Sequence, residues 1–404
     1  FKQKTAYEIP LRLVGSEMCI RDRSGIEKSF DYELTTSNKP LKLSLDTEIQ
    51  YLIREELIKF QEIFNSYGST AILMNVNSGE ILSMVSLPDF DLNKREDISD
   101  RKFINRSTKG VYELGSVFKT FTLAAGLQQN VIQEDTLFKN LPKKIKCAGR
   151  SISEYDMDIP SSLTAEEILI RSGNIGSIKI AQKVGLENFK DFLENLDLLN
   201  KIEFDLEEVG NPIPFKWGKC KLATSAYGHG ITTTPLQLAK AYAIIANGGY
   251  KIKPTLIKKE KNLKRGEQII TQENSNKINE ILRKIVTSEQ GTANLANIAG
   301  YEIAGKTGTA QKSIKGKYSK KKINTFASIF PISSPKYVLI VLLDEPKLSE
   351  TYIYEYNDGK KRKIIGTPFN TAGWTSVEVA KNICLLYTSP SPRDVEECRL
   401  PSWA

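Results

Sequence analysis

Three short groups of residues in this sequence could do chemistry together. Ser116 and Lys119 lie three positions apart in G-S-V-F-K, which puts a hydroxyl and an amine on one face of a helix. Ser172-Gly173-Asn174 sets a second hydroxyl beside a side-chain amide, directly after the helical pattern A-E-E-I-L-I-R. Lys306-Thr307-Gly308, followed by Thr309, sits inside a strand pattern. A serine nucleophile needs a base, usually histidine, and this chain has one histidine, His229, far off in sequence. Lys119 can replace it if its amine is neutral, and a serine at a helix start sits where developing negative charge is favoured.

Each pattern alone is weak. S-x-x-K starts at Ser99, Ser116, Ser319 and Ser333. Ser99 lies in charged surroundings, Ser319 precedes a lysine run and Ser333 precedes Ser-Pro. Ser116 alone has a glycine before it and an apolar helix after it. The plain alternative even there is an N-capping serine with a snorkelling lysine. S-x-N and K-T-G occur once each, and in the order S-x-x-K, S-x-N, K-T-G the three form the signature set of penicillin-binding proteins and serine β-lactamases.

The elements that must position these groups can be read from periodicity. Ile49, Leu52, Ile53, Leu57, Phe60 and Phe64 share one helical face. The runs A-I-L-M-N-V and E-I-L-S-M-V, joined through N-S-G-E, read as a hairpin. From about Asn105 to Asn247 the chain reads mostly helical. Strand patterns return in Y-E-I-A-G-K-T-G-T-A, I-N-T-F-A-S-I-F and the continuous apolar run K-Y-V-L-I-V-L-L-D, before a last helix near Ala372–Ile383. Two early and three late strands imply one sheet completed by both ends of the chain, in one domain with a helical insertion.

Composition narrows the function. The chain has 404 residues, 26% charged and 40% hydrophobic, with a net charge of +9 spread over lysine-rich stretches. That spread gives no case for nucleic acid as a partner. No apolar run is long enough to span a bilayer. The end stretches Phe1–Arg23 and Cys384–Ala404 resemble conceptual translations of sequencing adapters and are set aside as non-biological scars. Cys147 and Cys220 then remain, too few for a disulfide scaffold; free thiols are the expectation and a bridge the alternative. K-K-E-K-N-L-K-R and K-S-I-K-G-K-Y-S-K-K-K read as exposed loops, the second with steering of an anionic substrate or proximity to a membrane as its other reading. Glu166-Glu167 reads as a helix start and His229 as a structural or rim residue.

The resemblance extends over essentially Ser24 to Ile383. L-K-L-S-L-D-T-E-I-Q, N-S-G-E-I-L-S-M-V-S-L-P-D-F-D-L-N, S-G-N-I-G-S-I-K-I-A, Y-G-H-G-I-T-T-T-P-L-Q-L-A and A-G-K-T-G-T-A-Q-K look like segments of a class B penicillin-binding protein. The lead S-G-I-E-K-S-F-D-Y-E-L and the tail T-A-G-W-T-S-V-E-V-A most resemble the septal, division-specific member. Leu114 stands where many relatives carry proline.

The resemblance implies an α/β (α+β) fold, with a five-stranded, mainly antiparallel sheet flanked by helices and a helical subdomain. The transpeptidase domain would cover residues 41–383, and 24–40 would be the remnant of a pedestal domain or linker. A membrane anchor and full pedestal are expected in the intact protein, held at the inner membrane with the catalytic domain in the periplasm, so the sequence reads as a fragment. Ser116 would attack the carbonyl between the terminal D-alanines of a peptidoglycan stem peptide. Lys119 would take its proton, with Lys306 as the neighbouring cation that, together with partial burial, keeps Lys119 neutral. The backbone N–H groups of Ser116 and Thr309 would form the oxyanion hole. Ser172 would relay a proton, Asn174 would hold the peptide, and Lys306, Thr307 and Thr309 would receive the terminal carboxylate. Gly308 would leave the strand free for substrate. No cofactor or metal is implied. The implied partners are stem peptides ending in D-Ala-D-Ala, β-lactam antibiotics as inhibitors, a glycosyltransferase and other divisome proteins. The rival readings are a β-lactamase, for which no E-x-x-L-N pattern follows Ser172-Gly-Asn, and a non-catalytic penicillin-recognising sensor.

Overall fold

A computed structural model describes residues 25–90, 100–147, 149–259, 265–314, 317–357 and 361–388. The first scar, the S-x-x-K at Ser99 and most of the first lysine-rich stretch lie outside the described residues.

Helix α1 (Thr47–Ile63) begins where Asp46 accepts hydrogen bonds from the N–H groups of Glu48 and Ile49, and it buries Ile53, Leu57 and Phe60. Strands β1 (Gly68–Asn75) and β2 (Ile81–Leu87) form the expected hairpin, with Ile72 opposite Met84. Its turn is organised by the Asn75 side chain, which accepts from the N–H groups of Asn77 and Ser78. β2 alternates buried and half-buried residues, as an edge strand with one solvated side should.

The late strands are β3 (Ala304–Ile314), β4 (Lys317–Phe330) and β5 (Tyr337–Asp344). The sheet order is β2-β1-β5-β4-β3, with every neighbouring pair antiparallel. The last strand therefore becomes the central one. Its apolar run is covered on both faces, with Val338 to Leu343 fully buried.

Between the two halves of the sheet run helices α2 (Lys119–Gln128), α3 (Ala165–Ile170), α4 (Asn174–Val184), α5 (Leu186–Asn195), α6 (Lys219–Ser225), α7 (Pro235–Ala246) and α8 (Gln272–Thr287). α7 starts with a Thr234–Gln237 capping box and Pro235 in its first turn, and it is buried almost all round. It packs across β1, β5 and β4, while α8 lies beside β3. The closing helix α9 (Ser376–Thr388) packs on β4, β5 and α1. A single apolar core joins all of these elements.

Four features depart from the sequence reading. The helical middle contains a β-hairpin, Lys144–Cys147 paired with Arg150–Ser153. Cys147 and Cys220 are disulfide-bonded, with Cα atoms 5.6 Å apart, not free thiols. The hairpin carries Cys147 onto the start of α6, a proximity that a separation of 73 residues does not reveal. The described residues of the second lysine-rich stretch, 312–314 and 317–322, are strand rather than loop, with Gln311 opposite Lys322 and Ser313 opposite Tyr318. There Lys312 pairs with Asp344 and Glu345, and Lys321 with Glu345. Finally, α9 continues past residue 383, and Cys384 lies buried in the core.

Candidate active site

Ser116 lies in a short 3-10 helix, Gly115–Phe118, that runs directly into α2. Gly115 takes φ +64°, a backbone region open to glycine, and its α-carbon faces the backbone of Thr309 on β3. The buried Tyr242 hydroxyl of α7 donates to the Val117 carbonyl at 3.0 Å. Glu113 accepts from the Gly230 N–H at 2.8 Å and from the Tyr318 hydroxyl at 3.0 Å. The nucleophile turn is thus fixed from three sides before any substrate arrives.

One turn on, Lys119 is 1% exposed. Its amine donates to the Ser172 carbonyl at 2.5 Å and to the Ser172 hydroxyl at 3.1 Å. From the opposite wall, Lys306 on β3 donates to that same hydroxyl at 2.9 Å and to the Thr307 carbonyl at 3.1 Å. Two amines therefore converge on one serine oxygen. With its lone pairs accepting from both, the Ser172 proton is left to point elsewhere. Ser172 itself has φ +58°, uncommon for a residue other than glycine, and it forms the turn between α3 and α4.

Burial lowers the Lys119 amine to about 7, with the nearby Glu154 carboxylate acting the other way. Lys306 is held well below the usual lysine range by burial first and by repulsion from Lys119 second. The sequence reading gave Lys119 partial burial and Lys306 as a standing cation beside it. The burial is complete and is the main cause, and both amines are driven towards the neutral form.

A cavity of about 650 Å³ opens over this centre, lined by Ser116, Lys119, Ser172, Asn174, Thr307 and Thr309 among others. Seven of the eight expected site residues therefore gather at one place, counting Lys306 behind Ser172. Lys306 is fully buried and adds no surface to the cavity, which leaves Thr307 and Thr309 as the members of the K-T-G-T run that line it. The Thr307 hydroxyl is bonded to that of Thr292, and the Thr309 hydroxyl accepts from the Ala372 N–H at 2.9 Å, keeping its own proton free.

Gly308 faces the turn that carries Ser116. The space where its side chain would point is filled by the Leu114 carbonyl and Val117, so the absence of a side chain lets that turn pack against the strand. His229 lies on the cavity rim, stacked on Tyr318 with ring centroids 4.5 Å apart and with Nδ1 3.7 Å from Glu113. The structure also adds residues the sequence did not mark. Glu154, Arg171 and Trp374 line the cavity. Glu154 follows the unexpected hairpin, and no sequence pattern singles it out.

A buried lysine beside an edge strand and a serine at a helix start match the site pattern of penicillin-recognising serine acyltransferases. The chain belongs to the penicillin-binding protein transpeptidase domain family, whose model matches residues 69–370. It is 32% identical over 355 residues to the probable peptidoglycan D,D-transpeptidase FtsI of Caulobacter vibrioides, covering 85% of this chain and 57% of that protein. It is 30% identical over 317 residues to the peptidoglycan D,D-transpeptidase FtsI of Escherichia coli, covering 77% of this chain and 53% of that protein. The chain thus spans little more than half the length of these two relatives. The TP domain of penicillin-binding protein 3 from Burkholderia pseudomallei superposes with a TM-score of 0.73 at 25% identity, covering 89% of this chain and 98% of that one. The expected family and fold are both borne out.

Proposed function

We propose that this chain is the acyl-transfer domain of a septal class B penicillin-binding protein, which cross-links peptidoglycan stem peptides during division. The observation that carries the reading is the convergence of Lys119 and Lys306 on the Ser172 hydroxyl, at the base of a cavity that Ser116 also lines. Neutral Lys119 takes the Ser116 proton as the oxygen bonds to the penultimate D-alanine carbonyl. The negative oxygen that results faces the N–H groups of Ser116 and Thr309. The proton passes through Ser172 to the leaving D-alanine amine, and the C–N bond breaks. The amine of a second stem peptide then displaces Ser116 and forms the cross-link. Lys306 supports Ser172 in this relay, and the substrate carboxylate is held by the hydroxyls of Thr307 and Thr309. Asn174 presents its side chain to the peptide from the opposite wall.

The disulfide between Cys147 and Cys220 suits an oxidising compartment, which favours the periplasmic side of an inner membrane. Residues 24–40 fit the end of a pedestal domain, and a glycosyltransferase with other divisome proteins completes the proposed setting. The test is the intact mass after brief exposure to benzylpenicillin, beside Ser116→Ala. One stable adduct on the wild type only, together with transfer to an added amine acceptor, supports the reading. Accumulating hydrolysed drug without an adduct would favour a β-lactamase, and an adduct without acceptor-dependent transfer a sensor.

A further inference from the structure

We propose that Glu154 is a positioning residue of this site: its carboxylate fixes the start of α4, and with it Ser172, and supplies negative charge beside the buried Lys119 amine. The rate consequence rests on the acyl-transfer reading above; the effect on the amine does not.

Gly173 precedes α4 and gives it no side-chain cap. The first N–H groups of the helix would lack acceptors if nothing else supplied them. Glu154 supplies them from a different element. Its two oxygens accept from the N–H groups of Asn174 at 2.6 Å and Ile175 at 2.8 Å. The adjacent Ser153 carbonyl accepts from the Asn174 side-chain amide at 2.9 Å. Ser172 is therefore clamped from both sides. Its own N–H donates to the Leu169 carbonyl at 3.2 Å, Gly173 donates to Ile168 at 2.8 Å, and two residues on the helix start is tied to the hairpin. A left-handed serine persists only where its neighbours over-determine it, and these bonds do so.

The same carboxylate is 7% exposed and lines the cavity beside Lys119. A buried anion there offsets part of the cost that burial imposes on the Lys119 ammonium. The other titratable groups facing this space are Arg171, Asp156, Tyr155, Tyr227 and His229, with Lys306 buried behind Ser172. A cap without that electrostatic coupling would stabilise the fold and leave the amine unmoved, which separates the two roles by experiment.

The experiment compares wild type, Glu154→Gln, Glu154→Asp and Glu154→Ala in the full chain. NMR titration of the Lys119 ε-carbon gives the amine midpoint without any ligand, and benzylpenicillin acylation is followed over the same pH range. In Glu154→Gln the midpoint and the acidic limb of the rate should both fall by about half a pH unit or more. Glu154→Asp keeps the charge but withdraws it by one methylene, so a smaller fall is expected, and this variant carries the test should the glutamine variant not fold. An unmoved midpoint in the folded Gln and Asp variants would overturn the electrostatic role. An acylation rate in Glu154→Ala within twofold of wild type would overturn the positioning role. Were the wild type not acylated at all, the acyl-transfer reading would fail, while the Lys119 midpoint would still decide on Glu154.

Discussion

Gly308 and Leu114 meet backbone to backbone: a side chain at 308 would run into the Leu114 carbonyl and come within 3.1 Å of Val117. The K-T-G strand and the nucleophile turn are thus pressed together with no room to spare. Gly308→Ala should push them apart, lowering the rate of acylation by benzylpenicillin about 10²-fold. Overpacking of this kind should also cost about 1–3 kcal/mol of stability, read from denaturant unfolding. An alanine variant with wild-type acylation would mean that the turn can shift freely.

In the proposed mechanism Lys119 sets the pH dependence. Lys119 is lowered to about 7 by burial, and only its neutral form can accept a proton. Acylation should therefore rise with pH and level off above about 7, as measured by stopped-flow mixing with a chromogenic β-lactam. Lys119→Arg stays charged and should lose about 10²-fold or more at every pH. A rate independent of pH between 6 and 8, roughly one unit either side of that midpoint, would rule Lys119 out as the base.

The same amines make stability depend on pH. Unfolded, Lys119 and Lys306 titrate near the ordinary lysine value, whereas folded they lose their protons at much lower pH. Between about pH 7 and 10 the unfolded chain binds more protons, so stability should rise with pH across that window. Lys119→Met should flatten the rise, as read from unfolding midpoints at several pH values. A slope identical to wild type would show that Lys119 is protonated in the folded state.

The disulfide joins residues 73 apart, closing a long loop around the S-x-N turn. Replacing both cysteines by serine should cost about 2–4 kcal/mol by restoring freedom to the unfolded chain. Because the hairpin that carries Cys147 also carries Ser153 and leads to Glu154, acylation should slow as well. Equal melting temperatures with and without reductant would argue against this pairing.

Much of the site was legible because its chemistry is local. Ser116 and Lys119, and Ser172 and Asn174, are each near neighbours in the chain, and the glycines and apolar runs around them state their elements. The strand pattern around Lys306 and the apolar run to Asp344 likewise announced the sheet. What stayed hidden depends on contacts between distant segments. Glu154 looks like any acid in a polar stretch until the hairpin folds it onto α4. Lys312 and Lys321 lie on β3 and β4, but their charge resembles that of a solvated loop until Asp344 and Glu345 are brought beside them. The contact of Gly308 with Leu114 was hidden as well, because a sequence does not show which backbone lies opposite a missing side chain.

The sheet order also governs when the protein can come into being. β1 is made well before β5, one of its two partners, so Ile72 waits for Ile340 across a long stretch of chain. Pairing over such distances closes a very large loop and is slow to form. A nascent chain halted before Tyr337 would lack the middle of its sheet, with β1 open on one side and β4 without its inner neighbour. Until the ribosome has passed that point the chain has no complete core to commit to. The sheet that frames the Ser116 turn and Lys306 is thus closed only once β5 has been made.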